Sequence, residues 1–156
     1  MNEVVKPWGE PISPRDSIRM LMRERGVTYK RLAELVGYAG TSSVQKILTS
    51  DAKMRLNKYL RLLRVLGGTL FIAYFAKDGE MNYANVAINN VPEVLRIARE
   101  SSNITYKMMV SIKESNSRAL YEDNPSIKTL CSLIEPMNGS IVFRDYYGND
   151  YPIKTD

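Results

Sequence analysis

Thr28-Tyr29-Lys30-Arg31-Leu32-Ala33-Glu34-Leu35-Val36-Gly37-Tyr38-Ala39-Gly40-Thr41-Ser42-Ser43-Val44-Gln45-Lys46-Ile47-Leu48 reads as two short helices around one turn. Thr28 suits a helix N-cap, and Leu32, Leu35 and Val36 form the apolar stripe of the helix it opens. Gly37 can take the left-handed backbone that ends such a helix. A second helix over 41–49 turns Val44, Ile47 and Leu48 inward and Ser42, Ser43, Gln45, Lys46 and Thr49 outward. Upstream, Ser13 and Asp16 have capping-box spacing around Pro14, and Ile18, Leu21 and Met22 mark a helix that Gly26 stops. Downstream, Leu56, Leu60, Leu63 and Leu66 mark a fourth helix, from about Arg55 to Leu66. After Gly67-Gly68 the period changes. Thr69 to Ala76 reads as a strand, Asp78-Gly79 as a hairpin turn, and a return strand runs to about Ala87.

The pattern occurs twice. Val27-Thr28-Tyr29-Lys30 recurs 77 positions on as Ile104-Thr105-Tyr106-Lys107. Leu66-Gly67-Gly68-Thr69-Leu70-Phe71 recurs 71 positions on as Met137-Asn138-Gly139-Ser140-Ile141-Val142. The second copy is therefore six residues shorter in its middle. Its fourth helix is expected to open at Asn124-Pro125, and its hairpin to span Ser140 to Ile153 with a turn at Gly148-Asn149. Both faces of the 69–76 strand are apolar, which a lone hairpin cannot bury. The strand needs a partner, either the other hairpin or another chain. The expected class is α+β, mainly α. Two tandem four-helix units (14–87 and 88–156) follow an arm (1–13), each unit ends in a hairpin, and the hairpins pair into one sheet.

Composition narrows the chemistry. Among 156 residues there is no histidine and one cysteine, so imidazole catalysis, thiolate metal clusters and internal disulfides are excluded. Cys131 is expected among apolar neighbours on its helix. No metal site, cofactor or enzymatic activity is expected. No apolar run approaches a membrane span, and residues 1–14 lack the apolar core of a signal peptide, so a cytoplasmic protein is expected. The net charge is +5, and it is lopsided. Residues 1–80 carry 14 Lys/Arg against 8 Asp/Glu, and residues 81–156 carry 8 against 9. Contacts to an anionic partner belong in the first half.

Residues 28–48, with Leu32-Ala33, Gly37, Val44 and Ile47 at their spacing, resemble the helix-turn-helix of the lambda-repressor-like (Cro/C1 type) DNA-binding family. The resemblance covers about Ser13 to Leu66, and the Leu-Gly-Gly-Thr-Leu strand is similar to antitoxin-type members, whose strands pair across a dimer. One departure is the Gly37-Tyr38-Ala39-Gly40 turn, one residue longer than the family's usual spacing. The resemblance implies a transcriptional regulator, a repressor of bacterial, phage or mobile-element type, that puts the 41–49 helix into the major groove of double-stranded DNA. Thr41, Ser42, Ser43, Gln45, Lys46 and Thr49 would then face DNA, Gln45 matching adenine and Lys46 matching guanine. Thr28, Tyr29 and Lys30 at a helix N-terminus, with Lys53, Arg55 and Lys58, would hold phosphates.

The second copy departs at the deciding positions. Val110 replaces Ala33, Glu114 replaces Gly37, and Asp123 falls where an apolar residue belongs. Tyr106, Lys107, Asn116 and Arg118 are its remaining candidate DNA contacts. The alternative reading is an antitoxin- or inhibitor-type module in which residues 91–156 hold a protein partner. The repeat allows either a homodimer or an intramolecular pseudo-dimer. Trp8, in a Pro-rich arm (Pro7, Pro11, Pro14), is either disordered or docked on a partner.

Overall fold

The computed structural model describes residues 8–50 and 53–155; residues 1–7 of the expected arm lie outside them. Helices α1 (Pro14–Arg25), α2 (Tyr29–Val36), α3 (Thr41–Ser50) and α4 (Leu56–Leu66) precede strands β1 (Thr69–Phe75) and β2 (Met81–Asn85). Helices α5 (Val91–Ser101), α6 (Tyr106–Ile112), α7 (Asn116–Ala119) and α8 (Ile127–Ile134) precede β3 (Ser140–Arg144) and β4 (Asp150–Pro152). The caps are those the residue types favour. Ser13, Thr28, Thr105 and Ser126 each accept a backbone N–H of their own first turn. The α8 cap is Ser126, so that helix opens two residues after the Asn124-Pro125 signal.

The hairpins form one antiparallel sheet in the order β2-β1-β3-β4. The missing partner of β1 is thus the second hairpin of the same chain. The register shows an internal twofold axis. Phe71 pairs with Val142, its own counterpart 71 positions on, and the pairs Thr69↔Arg144 and Ala73↔Ser140 lie evenly to either side. The axis passes a second time between the starts of α4 and α8, where Arg55 bridges Ser126, again its counterpart. There the Leu56 N–H donates to the Pro125 carbonyl at 2.8 Å and the Ile127 N–H to the Met54 carbonyl at 3.0 Å. These two bonds are mates about the axis. Gly68 and Gly139 are equivalent as well. A Cβ on Gly68 would lie 2.7 Å from Leu21, and one on Gly139 would lie 2.6 Å from Ile134, so both strands start where a side chain has no room.

One hydrophobic cluster runs through both units. Leu70 and Ile72 of β1 and Ile141 and Phe143 of β3 join it with Ile18, Leu21, Leu63, Leu95, Leu130 and Ile134. On α2, Ala33 is buried and Leu35 is 39% exposed, correcting the expected stripe. On α4, Tyr59 and Leu62 are buried and Leu60 is only half-buried. The bundle surrounds these helices over a wider arc than a single leucine stripe. The Tyr59 and Ser17 hydroxyls share a buried hydrogen bond of 2.6 Å, which ties α4 to α1.

The opposite sheet face is partly covered. The Arg144 guanidinium lies 4.6 Å from the Phe71 ring centre and binds Asp150 through two hydrogen bonds of 2.7 and 3.0 Å. Trp8 is docked within its own chain, its indole N–H donating to the Tyr83 hydroxyl at 3.0 Å. The arm also lines the outer edge of β4. Gly9 and Ile12 donate to the Asp150 and Pro152 carbonyls, and Lys154 donates to Ile12. That edge is closed to further strands.

Each unit completes the other. Arg55 caps α4 with no side-chain bond of its own; the Asn124 side chain accepts the Asn57 N–H at 2.9 Å instead. Arg55 reaches back to Glu122 at 3.0 Å and to the Asn124 carbonyl. The β3–β4 turn docks on α1, where the Tyr146 N–H donates to Glu24 and the Tyr147 hydroxyl to the Glu24 carbonyl. Burial and the adjacent Asp145 carboxyl raise the Glu24 pKa above its ordinary value.

Two outcomes follow from these crossings. Asn124→Ala removes the borrowed cap and should lower the unfolding free energy by about 1 kcal/mol in urea titrations. A carboxyl with a raised folded-state pKa stabilises the fold most when protonated, so its contribution fades as pH rises through that value. Wild type should therefore lose melting temperature relative to Glu24→Gln between about pH 4 and 7. A constant difference across that range would show that Glu24 does not titrate against the fold.

Candidate nucleic-acid interface

Helix α2 of the α2–turn–α3 segment is capped at both ends. The Thr28 hydroxyl accepts the Arg31 N–H at 3.1 Å. At the far end Gly37 has φ +80°. The Tyr38 N–H returns to the Ala33 carbonyl at 2.8 Å and the Gly37 N–H to Glu34 at 3.3 Å, a Schellman closure. The Arg61 guanidinium of α4 donates to the Val36 carbonyl at 3.3 Å. Ala33 is small enough for α2 and α3 to approach closely. Val44 and Leu48 are buried beneath α3, with Ile47 half-buried beside them.

That burial decides which residues α3 shows to solvent. Thr41, Ser42, Gln45, Lys46 and Thr49 are exposed, and Ser43 is half-buried. The Thr49 hydroxyl donates to the Lys46 carbonyl at 2.6 Å, so its proton is already engaged within the helix. Thr28 and Lys30 are exposed at the start of α2, and Tyr29 is half-buried against the core. Lys53 and Lys58 are exposed near the start of α4. Arg55 is exposed but already paired with Glu122 across the internal axis, so part of its charge is compensated. Sequence reasoning missed Arg19 and Arg23. They line one hollow with Thr28 and Tyr29. Their spacing of four residues, on the side of α1 away from Ile18, was the available signal.

The second unit is built differently at the same place. Helix α6 ends at Lys113 in extended backbone, φ −155°, and α7 has only four residues. Asn116 is corrected as a candidate contact: it is 8% exposed, and its amide donates to the Met109 carbonyl at 2.7 Å. It closes the end of α6, as the Gly37 turn closes α2. Tyr106, Lys107 and Arg118 are exposed. Glu114, Glu122 and Asp123 are exposed around them. Met108, Ile112 and Tyr121 are exposed apolar residues, Ile112 at 60%. At the positions of Met108 and Ile112 the first unit has Arg31 and Leu35.

Other chemistry is sparse. Cys131 is half-buried; burial above all pushes its thiol up to about 11, so it stays protonated at neutral pH. Among the described residues no cluster of metal-ligating side chains occurs, and no helix is long and apolar enough to cross a membrane. Comparison of the chain with protein-family models, curated proteins and solved structures found no match.

The turn geometry can be tested directly. A Cβ on Gly37 meets nothing within 4 Å, so the cost of Gly37→Ala is backbone strain alone. Urea unfolding should show a loss of about 1–2 kcal/mol, with Gly37→Asn losing less because asparagine tolerates the left-handed region.

Proposed function

We propose that the chain is a sequence-specific double-stranded DNA-binding regulator, a repressor that covers a promoter by placing α3 in the major groove. One observation carries the reading. Helix α3 is clamped on one side by Val44 and Leu48 and free on the other along Thr41, Ser42, Gln45, Lys46 and Thr49. A helix fixed in this way can present base-reading side chains in one register. Gln45 offers the paired donor and acceptor that suit adenine, and Lys46 suits the acceptors of guanine. Lys30, Lys53 and Lys58, with Arg19 and Arg23, supply positive charge for phosphates on both flanks. The lopsided charge of the chain agrees with this placement.

A second reading draws on the exposed Met108, Ile112 and Tyr121. In it the second unit holds a protein, as an antitoxin or inhibitor would. Salt separates the two. DNA affinity resting on several phosphate contacts should fall by orders of magnitude between about 50 and 200 mM salt, whereas capture of a protein on apolar surface should change little.

Gel-shift titrations test the residue roles. Gln45→Ala and Lys46→Ala should each relax preference at one base position, by about tenfold. Lys30→Ala and Arg23→Ala should weaken all sequences alike and flatten the salt dependence. Unchanged preference in both α3 variants would remove α3 as the reader.

A further inference from the structure

We infer that a single molecule is the complete DNA-binding unit, and that its site is one unsymmetrical element and not a palindrome. The inference rests on the DNA-binding reading above. Helix-turn-helix proteins commonly bind as dimers whose twofold axis matches that of the operator, with one recognition helix on each side. This chain contains such an axis within itself. It passes through the Phe71–Val142 pair and through the exchanged bonds Leu56 to Pro125 and Ile127 to Met54. Helices α3 and α7 hold the same place in the two element orders, each preceding one of the exchanged bonds, so the repeat makes them counterparts as the two recognition helices of a dimer would be. The strand pairing that would join two chains is already used within one. The outer edge of β4 is lined by the arm.

The two sides of the axis are not chemically equal. On one side a ten-residue α3 exposes Thr41, Ser42, Gln45 and Lys46. On the other, α7 is four residues long and turns Asn116 inward. Exposed Glu114 and Asp123 lie on either side of it in the chain, and carboxylates near a phosphate backbone oppose binding. The second unit occupies the place of a second half-site without reading it. Lys107 and Arg118 remain there as charge contacts that carry no sequence information. A duplex bound across the axis is thus read for sequence on one side only.

The test combines three measurements on the full chain. Light scattering gives its mass in solution, a random double-stranded library gives the enriched motif, and native mass spectrometry of the complex on that motif gives stoichiometry. The inference expects a free mass near 17.8 kDa, a non-palindromic motif and one protein per duplex. Lys46→Ala should cost about tenfold in preference at a motif base. Arg118→Ala should leave the motif unchanged while lowering affinity for every sequence by the same factor. A palindromic motif with two proteins per duplex would overturn the inference and leave the DNA-binding reading standing, as would a base preference that moves in Arg118→Ala. No enrichment at low salt would instead sink the DNA-binding reading. In that case the free mass still decides whether the chain is its own dimer, a doubled mass refuting it.

Discussion

The antiparallel pairing of β1 with β3 is the constraint on which the rest of the molecule depends. Strand β1 is apolar on both faces and is the inner strand of its own hairpin. Without β3 it would leave a row of unpaired backbone groups next to exposed phenylalanine and isoleucine. Once Phe71 faces Val142, the register sets the relation between two four-helix units. The same operation brings the starts of α4 and α8 together, where Leu56 and Ile127 exchange backbone bonds. Two interfaces far apart in sequence thus follow from one axis. The cross-unit cap from Asn124 and the docking of the β3–β4 turn on Glu24 require the same placement.

Symmetry and divergence are distributed unevenly. The framework positions are kept in both units: Thr28 and Thr105 as caps, Gly68 and Gly139 at the crowded strand starts, the central strands themselves. The surface positions are not. Where the first unit has a glycine turn and a long exposed helix, the second has an extended Lys113, a short α7 and an inward Asn116. Framework contacts serve both units at once, so a change there disturbs the whole sheet and core. Surface contacts belong to one unit, and one can lose a basic residue such as Arg31 for Met108 without loss of fold. The molecule keeps twofold framework contacts, and only its first unit carries a long helix with an exposed polar face.

Much of this was legible in the residues. The Thr28 cap, the Gly37 turn and the inward Val44 and Leu48 follow from local chemistry, because cap geometry and left-handed backbone depend on neighbours in sequence. The two hairpins were legible from their glycine turns and β-branched runs. The fine structure of the faces was less so. Leu35 fits the helical period of α2 yet is exposed, and Tyr59 interrupts the expected leucine stripe of α4 yet is buried with Ser17. Asn116 reads as a polar surface residue and serves as an interior cap. In each case the outcome depends on which helix packs alongside.

The sequence by itself determined the inventory: eight helical segments, two hairpins, a repeated order, a basic first half, no imidazole, and too few cysteines for an internal disulfide or a thiolate cluster. Those properties are local or additive, so periodicity, caps and counting suffice to read them. The tertiary structure alone decided that the two hairpins pair with each other in one chain, on a register centred on Phe71 and Val142. It also decided that Arg55 turns to Glu122, that Trp8 meets Tyr83, and that Arg19 and Arg23 join Thr28 in one hollow. These are meetings of residues distant in sequence, fixed by how the sheet and helices pack around the axis, and no single stretch of chain contains them.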